Sequence, residues 1–339
     1  MNRLLMILIL GISYAPSAQE IPNNFYVCPP CGSHCDDEKY SKPGACPHCN
    51  MVLIREDQTK TIAFYLQNGV EVLDFAGPME VFAYAGYEVF TVSKTKDPIV
   101  SQGILTIVPD YSIEDAPAAD VLAFFGGNAQ TAFNDQRVIK WIKNQKEIQF
   151  HFSVCTGAFL LAEAEILEGK VATTFHDALD GLEENYSNID VRRDARFVDN
   201  GKVITTAGIS AGIDGALHLV AKLQGLNAAK RTAYYMEYDN WVPGDGVILS
   251  NDNPYQQELP MLEAYVGSYQ FEEKGEIEVI IAKSDLHARL GETRYPLYHE
   301  SADIFSDVTS SPIYFERDEF SNVIGYRLEP GGKLYKKLD

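Results

Sequence analysis

Short apolar runs alternate with amphipathic segments through the middle of the chain. The apolar runs are 61–66, 87–93, 121–125, 148–154 and 203–206. Apolar residues recur at helical spacing in 78–84, 136–146, 157–164 and 211–223. Nearly continuous apolar strands separated by helices are typical of a parallel sheet that is covered on both faces. The pattern therefore predicts an α/β domain with a mostly parallel sheet over 61–241.

The pattern changes after two loop-rich segments, 243–246 and 251–254. Short strand-like runs then lie between turn signals at 265–269, 277–281, 312–315 and 325–328. Such a succession predicts a small all-β domain over 257–339, either a barrel or a curved sheet. The opening of this region, L-E-A-Y-V-G-S-Y, resembles the small β domain that often follows serine β-lactamase-type domains. That resemblance implies an accessory or interaction role.

The first residues have the pattern of an export signal. Asn2 and Arg3 give a short positive start, 4–12 is an apolar run, and small residues follow up to Ala18. The run is too short to span a bilayer comfortably, so the prediction is a signal peptide over 1–18 rather than an anchor. We therefore expect a periplasmic or secreted protein that has no membrane segment after cleavage.

Composition and charge exclude some partners. The chain is 46% hydrophobic and 22% charged, which is typical of a folded soluble protein. Its formal net charge is −20. Phosphate backbones and anionic lipid surfaces repel a polyanion, so nucleic acid is not an expected partner.

Five of the six cysteines fall within a short segment, and the sixth is alone. Cys28 and Cys31 form one C-x-x-C pair, and Cys46 and Cys49 form a second. Two such pairs can offer four thiolates to one tetrahedral ion, and metal binding folds segments that are too short to build a core. The spacing predicts a structural zinc site in a Cys-rich module over 24–54.

This module resembles the heavy-metal-binding, zinc-ribbon-like module of exported and metal-efflux proteins. The resemblance rests on Tyr26 and Cys28-Pro29 at its start and on P-G-A-C-P-H-C-N-M-V-L at 43–53. Alternatives remain open at this stage. Cys35, His34 and His48 are further possible ligands, and an oxidising compartment would favour disulfides instead.

The isolated cysteine, Cys155, follows the predicted strand 148–154 and precedes the predicted helix 157–164. A side chain on such a tight turn projects from the carboxyl edge of the sheet, where open α/β folds bind ligands. The amino terminus of a helix stabilises a thiolate, so we expect a lowered pKa at Cys155. The pattern predicts a reactive cysteine nucleophile.

Four segments in register carry a resemblance to a known family. They are S-V-C-T-G-A at 153–158, L-D-F-A-G-P-M-E-V-F at 73–82, F-G-G at 125–127 and T-A-G-I-S-A-G-I-D at 206–214. The chain is similar to the ThiJ/PfpI family of class I glutamine amidotransferase-like proteins, in the branch of isonitrile hydratases and AraC-type sensor domains. The resemblance implies a flavodoxin-like fold with a nucleophile elbow, and a homodimer.

The same resemblance implies roles for individual residues. Cys155 would attack an electrophilic carbon, and the backbone N–H groups of Gly127 and Thr156 would form an oxyanion-type pocket. Asp74, placed at the carboxyl end of the first strand, would relay a proton. No catalytic cofactor is implied. Many relatives carry His directly after the nucleophile, whereas this chain has Thr156, which disfavours a Cys-His dyad and peptidase chemistry.

Three hypotheses about function follow. The leading one is an exported, cysteine-dependent enzyme of hydratase or lyase type that acts on a small electrophilic substrate. The alternatives are a non-catalytic protein that senses or binds a small ligand on the same fold, and a metal-handling protein that acts through the Cys-rich module. The expected signal peptide, the acidity and the lack of a basic helix-turn-helix tail disfavour a transcription regulator.

Overall fold

The computed structural model describes residues 25–256, 260–272 and 275–338. The predicted signal peptide over 1–18 lies outside these residues, as do 257–259 at the expected start of the β domain. Within the described part of the chain, no helix combines the length and the apolar character that crossing a membrane requires.

A small Cys-rich module opens the described chain. It holds a three-stranded antiparallel sheet in the order β2-β1-β3. Its strands are β1 (Tyr26–Val27), β2 (Lys39–Tyr40) and β3 (Ile54–Arg55). The buried core of the module consists of Cys28, Cys35, Cys46 and Leu53. Sulfur atoms therefore supply most of an interior that is too small to be built from hydrocarbon alone.

The middle of the chain contains the predicted mostly parallel sheet, with eight strands in the order β15-β13-β14-β10-β9-β4-β5-β8. Only the β13–β14 pair in it is antiparallel. A separate hairpin (β6, β7) and a two-stranded ribbon (β11, β12) lie beside it. The strands are β4 (Thr61–Tyr65), β5 (Glu88–Ser93), β6 (Ile99–Ser101), β7 (Leu105–Ile107), β8 (Tyr111–Ser112), β9 (Val121–Phe124), β10 (Phe150–Val154), β11 (Val171–Ala172), β12 (Asp190–Val191), β13 (Phe197–Asp199), β14 (Val203–Thr206) and β15 (Val247–Ile248).

Helices cover both faces of this sheet, as the apolar strands require. They are α1 (Val72–Tyr84), α2 (Gln130–Phe133), α3 (Gln136–Asn144), α4 (Ala158–Glu163), α5 (Leu179–Asn185), α6 (Ala211–Gln224) and α7 (Leu226–Tyr235). One apolar core contains buried side chains of α1, α6 and α7, and a second contains those of α3 and α4. The flavodoxin-like α/β architecture is confirmed.

The first helix begins earlier than the sequence pattern indicated. The prediction started it at Pro78, but α1 starts at Val72 and holds Pro78 in its interior. Proline lacks the N–H that would bond to the carbonyl of Asp74, so a local prediction places it at a helix start. Burial of Phe75 and Phe82 on the sheet outweighs that loss. Asp74 therefore lies in the first turn of α1 and not at the end of a strand.

The C-terminal region is an antiparallel meander of eight strands, β16 to β23, in sequence order. The strands are β16 (Gly267–Phe271), β17 (Gly275–Ala282), β18 (Asp285–Leu290), β19 (Thr293–Ser301), β20 (Ile304–Ser306), β21 (Pro312–Arg317), β22 (Val323–Arg327) and β23 (Tyr335–Lys336). The expected all-β domain is confirmed as a near-barrel. Its first strand begins at Gly267, because Leu262–Tyr265 forms a 3₁₀ turn.

Candidate active site and metal centre

Cys155 lies on a sharp turn between β10 and α4. Its φ angle is +58°, a left-handed conformation that costs a non-glycine residue about 1–3 kcal/mol. Two hydrogen bonds hold the turn: Cys155 N–H donates to the carbonyl of Ala207 at 3.1 Å, and the Thr174 hydroxyl donates to the carbonyl of Cys155 at 2.7 Å. The sequence prediction of an elbow was therefore correct in position, but it did not single out Thr174.

Asp74 faces the thiol from the first turn of α1. Its side chain is fully buried. Backbone N–H groups hold both carboxylate oxygens, since Gly126 donates to Oδ2 and Ile209 donates to Oδ1, each at 2.9 Å. The carboxyl group also shares a hydrogen bond with the Cys155 thiol. The structure thus brings together the two side chains that the sequence singled out.

A pair of glycines lets these groups meet. A Cβ atom on Gly126 would lie 2.6 Å from Cys155 Sγ and 2.7 Å from Asp74 Oδ2, so only glycine fits between them. Gly127 has a φ angle of +79°, and a Cβ there would overlap the carbonyl oxygen of Gly69. Gly127 was predicted as a backbone donor, whereas Gly126, whose missing side chain makes room for the pair, was not singled out from the sequence.

The two predicted oxyanion donors face the thiol. The backbone N–H groups of Gly127 and Thr156 both form hydrogen bonds that favour the ionised form of Cys155. The Thr156 hydroxyl is buried and has no hydrogen-bond partner among the described residues. The hydroxyl therefore does not hold the Asp74 carboxylate in place, and the contribution of Thr156 to the site is its backbone N–H.

The electrostatics correct the expected pKa of the thiol. Burial, together with the negative charge of Asp74, raises the pKa of Cys155 to about 12, and the N–H groups of Thr156 and Gly127 offset this only in part. Burial likewise raises the pKa of Asp74 to about 6, against the hydrogen bonds from Gly126 and Ile209. A helix start is therefore not sufficient here to outweigh burial. The Cys155 thiol therefore retains its proton at neutral pH.

The Cys155 side chain is nearly buried. Cys155 exposes 6% of its surface. Leu73, adjacent to Asp74 in α1, and Ile209, whose N–H binds Asp74, are both exposed apolar residues. The thiol is therefore almost completely shielded, and two apolar side chains lie at the surface close to Asp74 in the chain or bonded to it.

A second candidate site lies in the Cys-rich module. All six cysteines are within the described residues, and none of them forms a disulfide. The sulfurs of Cys28, Cys31, Cys35 and Cys49 all lie within 4.8 Å of one another. Within this group, Cys28 and Cys49 are 3.2 Å apart and Cys31 and Cys35 are 3.5 Å apart. Four convergent thiols suit a soft or borderline ion in tetrahedral geometry.

Cys46, predicted as the fourth ligand, lies just outside this group of four. Its thiol forms hydrogen bonds with those of Cys28 and Cys35, and the Tyr40 hydroxyl lies 3.6 Å from its sulfur. Burial raises the pKa of Cys46, but backbone N–H groups of Cys49 and His48 contribute to a net fall to about 6. The module therefore offers five thiols for a four-ligand shell.

The two histidines named as possible ligands lie apart from the sulfurs. His34 and His48 form an exposed group with Glu38, in which His48 Nε2 is 3.3 Å from Glu38 Oε2. The metal-binding potential of the module is thus concentrated in its buried thiols.

The fold and the two sites define a class of protein. It is an α/β protein with a cysteine at a nucleophile elbow, preceded by a thiol-rich metal-binding module and followed by a β near-barrel. Comparison with known proteins agrees with this description. Residues 60–222 match the DJ-1/PfpI family, and residues 25–56 match the heavy metal binding domain.

The chain belongs to the DJ-1/PfpI family. It is 35% identical over 190 residues to an isonitrile hydratase from Pseudomonas putida, an alignment that covers 54% of this chain and 81% of that protein. It is also 26% identical over 169 residues to the HTH-type transcriptional regulator CdhR of Pseudomonas aeruginosa, covering 48% of this chain and 50% of the regulator.

A solved structure supports the same assignment. The crystal structure of a ThiJ/PfpI family protein from Pseudomonas syringae superposes with a TM-score of 0.51 at 30% sequence identity. The superposition covers 55% of this chain and 77% of that one. The resemblance proposed from four sequence motifs is therefore confirmed, and it extends to a family that contains both enzymes and regulators.

Proposed function

We propose that this chain is a cysteine-dependent, hydratase-like enzyme that adds water to a small electrophilic carbon, with an isonitrile as the leading substrate class. One observation carries the proposal: the Cys155 thiol and the Asp74 carboxyl share a hydrogen bond beside Gly126, with two backbone N–H groups directed at the sulfur. This arrangement pairs a nucleophile with a proton carrier in a buried site.

The first step would add the thiol across the terminal carbon of the isonitrile. The Asp74 carboxylate accepts the thiol proton as Sγ forms a bond to that carbon. The carboxyl group then gives the same proton to the carbon, which produces a thioimidate, R–N=CH–S, on Cys155. The N–H groups of Gly127 and Thr156 stabilise the transient thiolate.

The second step would release the product with water. A water molecule adds to the thioimidate carbon, so that the nitrogen gains one proton and the carbon carries a hydroxyl. Loss of the hydroxyl proton to Asp74 and cleavage of the C–S bond give an N-substituted formamide, R–NH–CHO. Asp74 returns the proton to the departing sulfur, and the net reaction consumes one isonitrile and one water.

The access to the site also suits this substrate class. An isonitrile carbon is terminal on a linear group, so it can reach a thiol that is 6% exposed. Its organic substituent would contact the exposed side chains of Leu73 and Ile209. The 35% identity to the Pseudomonas putida isonitrile hydratase supports the same reading.

The test is turnover of cyclohexyl isocyanide by the full chain, with the formamide product measured by mass spectrometry. Cys155→Ser and Asp74→Asn should each lower turnover by at least about 10²-fold, the contribution expected of a nucleophile or a positioned acid–base group. Glu80→Gln is the matched control, because it neutralises an exposed carboxylate on the same helix. Activity that survives in Cys155→Ser would refute the mechanism.

We also propose zinc as the ion of the Cys-rich module, in a structural role. The candidate ligands are Cys28, Cys31 and Cys49, with Cys35 or Cys46 completing the shell. Bound zinc would cross-link a segment whose core is mostly sulfur and would take no part in the hydration. Metal analysis of the purified chain, with thiol counting, tests the identity and stoichiometry of the ion.

Export and dimerisation complete the proposal. The apolar run at 4–12 supports delivery to the periplasm or secretion, and a homodimer is proposed for the mature chain. Cell fractionation followed by sequencing of the mature amino terminus tests the first. Light scattering of the purified protein tests the second.

The second candidate function is non-catalytic sensing of a small ligand. The observation that favours it is the raised pKa of the Cys155 thiol, since a protonated thiol is a weaker nucleophile. The match to half the length of the CdhR regulator is consistent with it. Saturable binding of isocyanides without formamide production would favour sensing over catalysis. Metal handling remains a third candidate, which release of the ion to a chelator or partner would favour.

A further inference from the structure

The C-terminal near-barrel has an interior of its own. Its last strand returns to its first: Tyr269 and Lys337 form an antiparallel bridge, and Leu338 N–H donates to the carbonyl of Ser268 at 2.8 Å. An eight-stranded sheet that closes on itself leaves room for packed side chains or for one small ligand. The packing at its two ends decides between these alternatives.

One end of the barrel is filled. The ring of Tyr265 lies 4.9 Å from that of Phe305 and 5.0 Å from that of Phe315. Its hydroxyl donates to Asp303 Oδ1 at 2.6 Å, and Arg317 donates to the same carboxylate. The 3₁₀ turn that carries Tyr265 therefore closes this end with a fixed aromatic plug.

The other end is empty. It contains a cavity of about 440 Å³, lined almost entirely by apolar side chains. Val279 and Leu297 are buried in its wall, whereas Leu290 and Leu328 are exposed at its rim. An apolar cavity of this kind does not hold ordered water well, because water needs two to four polar partners.

Charge is nearly absent from the wall. Among the described residues that line the cavity, Asp307 is the only charged one. Its Oδ1 accepts hydrogen bonds from Thr309 N–H at 2.8 Å and Ser311 N–H at 2.9 Å, so it serves the turn between β20 and β21. The described part of the lining therefore contains a carboxylate and no cation that would bind an anionic head group.

We propose that the barrel is a binding site for one small apolar molecule without an anionic head, such as a hydrocarbon chain or a fused ring. Its volume falls in the range of small-molecule sites, and its closed end makes it a pocket rather than a channel. The site belongs to a different domain from Cys155, so the proposal does not depend on the hydratase function.

The test uses the full chain and the neutral dye 1-aminoanthracene, which has about 15 non-hydrogen atoms and fluoresces strongly in apolar surroundings. We expect saturable binding with one site per chain. Decanol should displace the dye at least 10-fold better than decanoate at pH 8, because the one charge among the described lining residues is negative. Equal displacement by decanoate would overturn the assignment of head group, and unsaturable binding would overturn the site.

Variants locate the dye. Ala288→Phe places a ring in the cavity, so it should weaken dye binding at least 10-fold without lowering the melting temperature. Leu290→Lys puts a charge at the rim and should weaken binding at least 5-fold. Its matched control is Ile281→Lys on the adjacent strand, equally exposed but outside the lining. Wild-type affinity in folded Leu290→Lys, or equal loss in Ile281→Lys, would refute the proposal.

Discussion

Gly126 offers the sharpest test of the cysteine site, because it separates the geometry of the site from its chemistry. In Gly126→Ala the new Cβ would lie 2.6 Å from Cys155 Sγ, 2.7 Å from Cys155 Cβ and 2.7 Å from Asp74 Oδ2. Carbon and its neighbours normally approach to about 3.5–4.0 Å, so each group must move by roughly 1 Å. Rotation of the thiol alone cannot relieve the contact with Cys155 Cβ.

The surrounding backbone cannot move away without further cost. The carbonyl of Gly126 accepts a hydrogen bond from the Gln67 amide at 2.8 Å, and its N–H donates to Asp74. The turn at Cys155 is fixed by Ala207 and Thr174. We expect overpacking to lower the stability by about 1–3 kcal/mol. A displacement near 1 Å at the reacting atoms should lower turnover about 10²-fold.

Two assays decide the outcome. Thermal melting gives the stability change, and peptide-resolved alkylation by iodoacetamide across pH reports the Cys155 thiol separately from the other five cysteines. The control is Gly181→Ala in α5, where the new Cβ would meet only Phe159, at 3.9 Å, so stability and alkylation should be preserved. A Gly126→Ala protein with the wild-type alkylation profile and formamide production within twofold of wild type would refute this reasoning.

Three further predictions follow from the same contacts. Asp74→Asn removes a negative charge that raises the pKa of Cys155, so the midpoint of the alkylation profile should move to lower pH. A Coulomb energy of about 4 kcal/mol for two charges at 4 Å corresponds to a shift of about two to three pH units. An unchanged or higher midpoint would contradict this prediction. Thr174→Val removes the hydrogen bond to the carbonyl of Cys155 and should lower the free energy of unfolding, measured with denaturant, by about 1–2 kcal/mol. Thr156→Val should leave the free energy of unfolding unchanged, because the Thr156 hydroxyl has no partner among the described residues. Cys35→Ser should weaken metal binding at least tenfold in a chelator competition; if Cys46→Ser does so instead, the ligand set predicted from sequence is the correct one.

Hydrophobic pattern predicted the part of the fold whose strands are buried on both faces. The runs that became β4 and β9 are apolar at almost every position, so the hydrophobic pattern alone identified them. Strand β19 was missed because it contains Arg294, Pro296, His299 and Glu300, which hide any alternation. Its pairing with β18 and β20 comes from distant residues that a local pattern does not contain.

The residues of the candidate site likewise fall into those that the sequence predicted and those that it could not. Cys155, Asp74 and the two N–H donors follow from motifs, because a turn between strand and helix fixes where they point. Gly126 and Thr174 could not be singled out, since their roles exist only when segments far apart in sequence meet. Cys35 was named only as a further possible ligand, because the spacing does not show which four of the five thiols converge. The predicted direction of the pKa shift of Cys155 was wrong for a related reason. Burial is a property of the whole domain, whereas the helix start is local.

The raised pKa of the Cys155 thiol indicates which type of reaction the site can catalyse, as well as how reactive the thiol is. Alkylation and peptide cleavage need a preformed thiolate, and a pKa of about 12 disfavours both at neutral pH. Addition to an isonitrile differs, because the attacked carbon must also receive a proton. The protonated Cys155 thiol can supply both the sulfur nucleophile and the proton. The Asp74 carboxyl beside it has a pKa of about 6, so it is largely ionised at neutral pH and can carry that proton from the sulfur to the carbon. Among the cysteine reactions open to this fold, the electrostatics therefore favour those in which nucleophile and proton arrive at the same carbon.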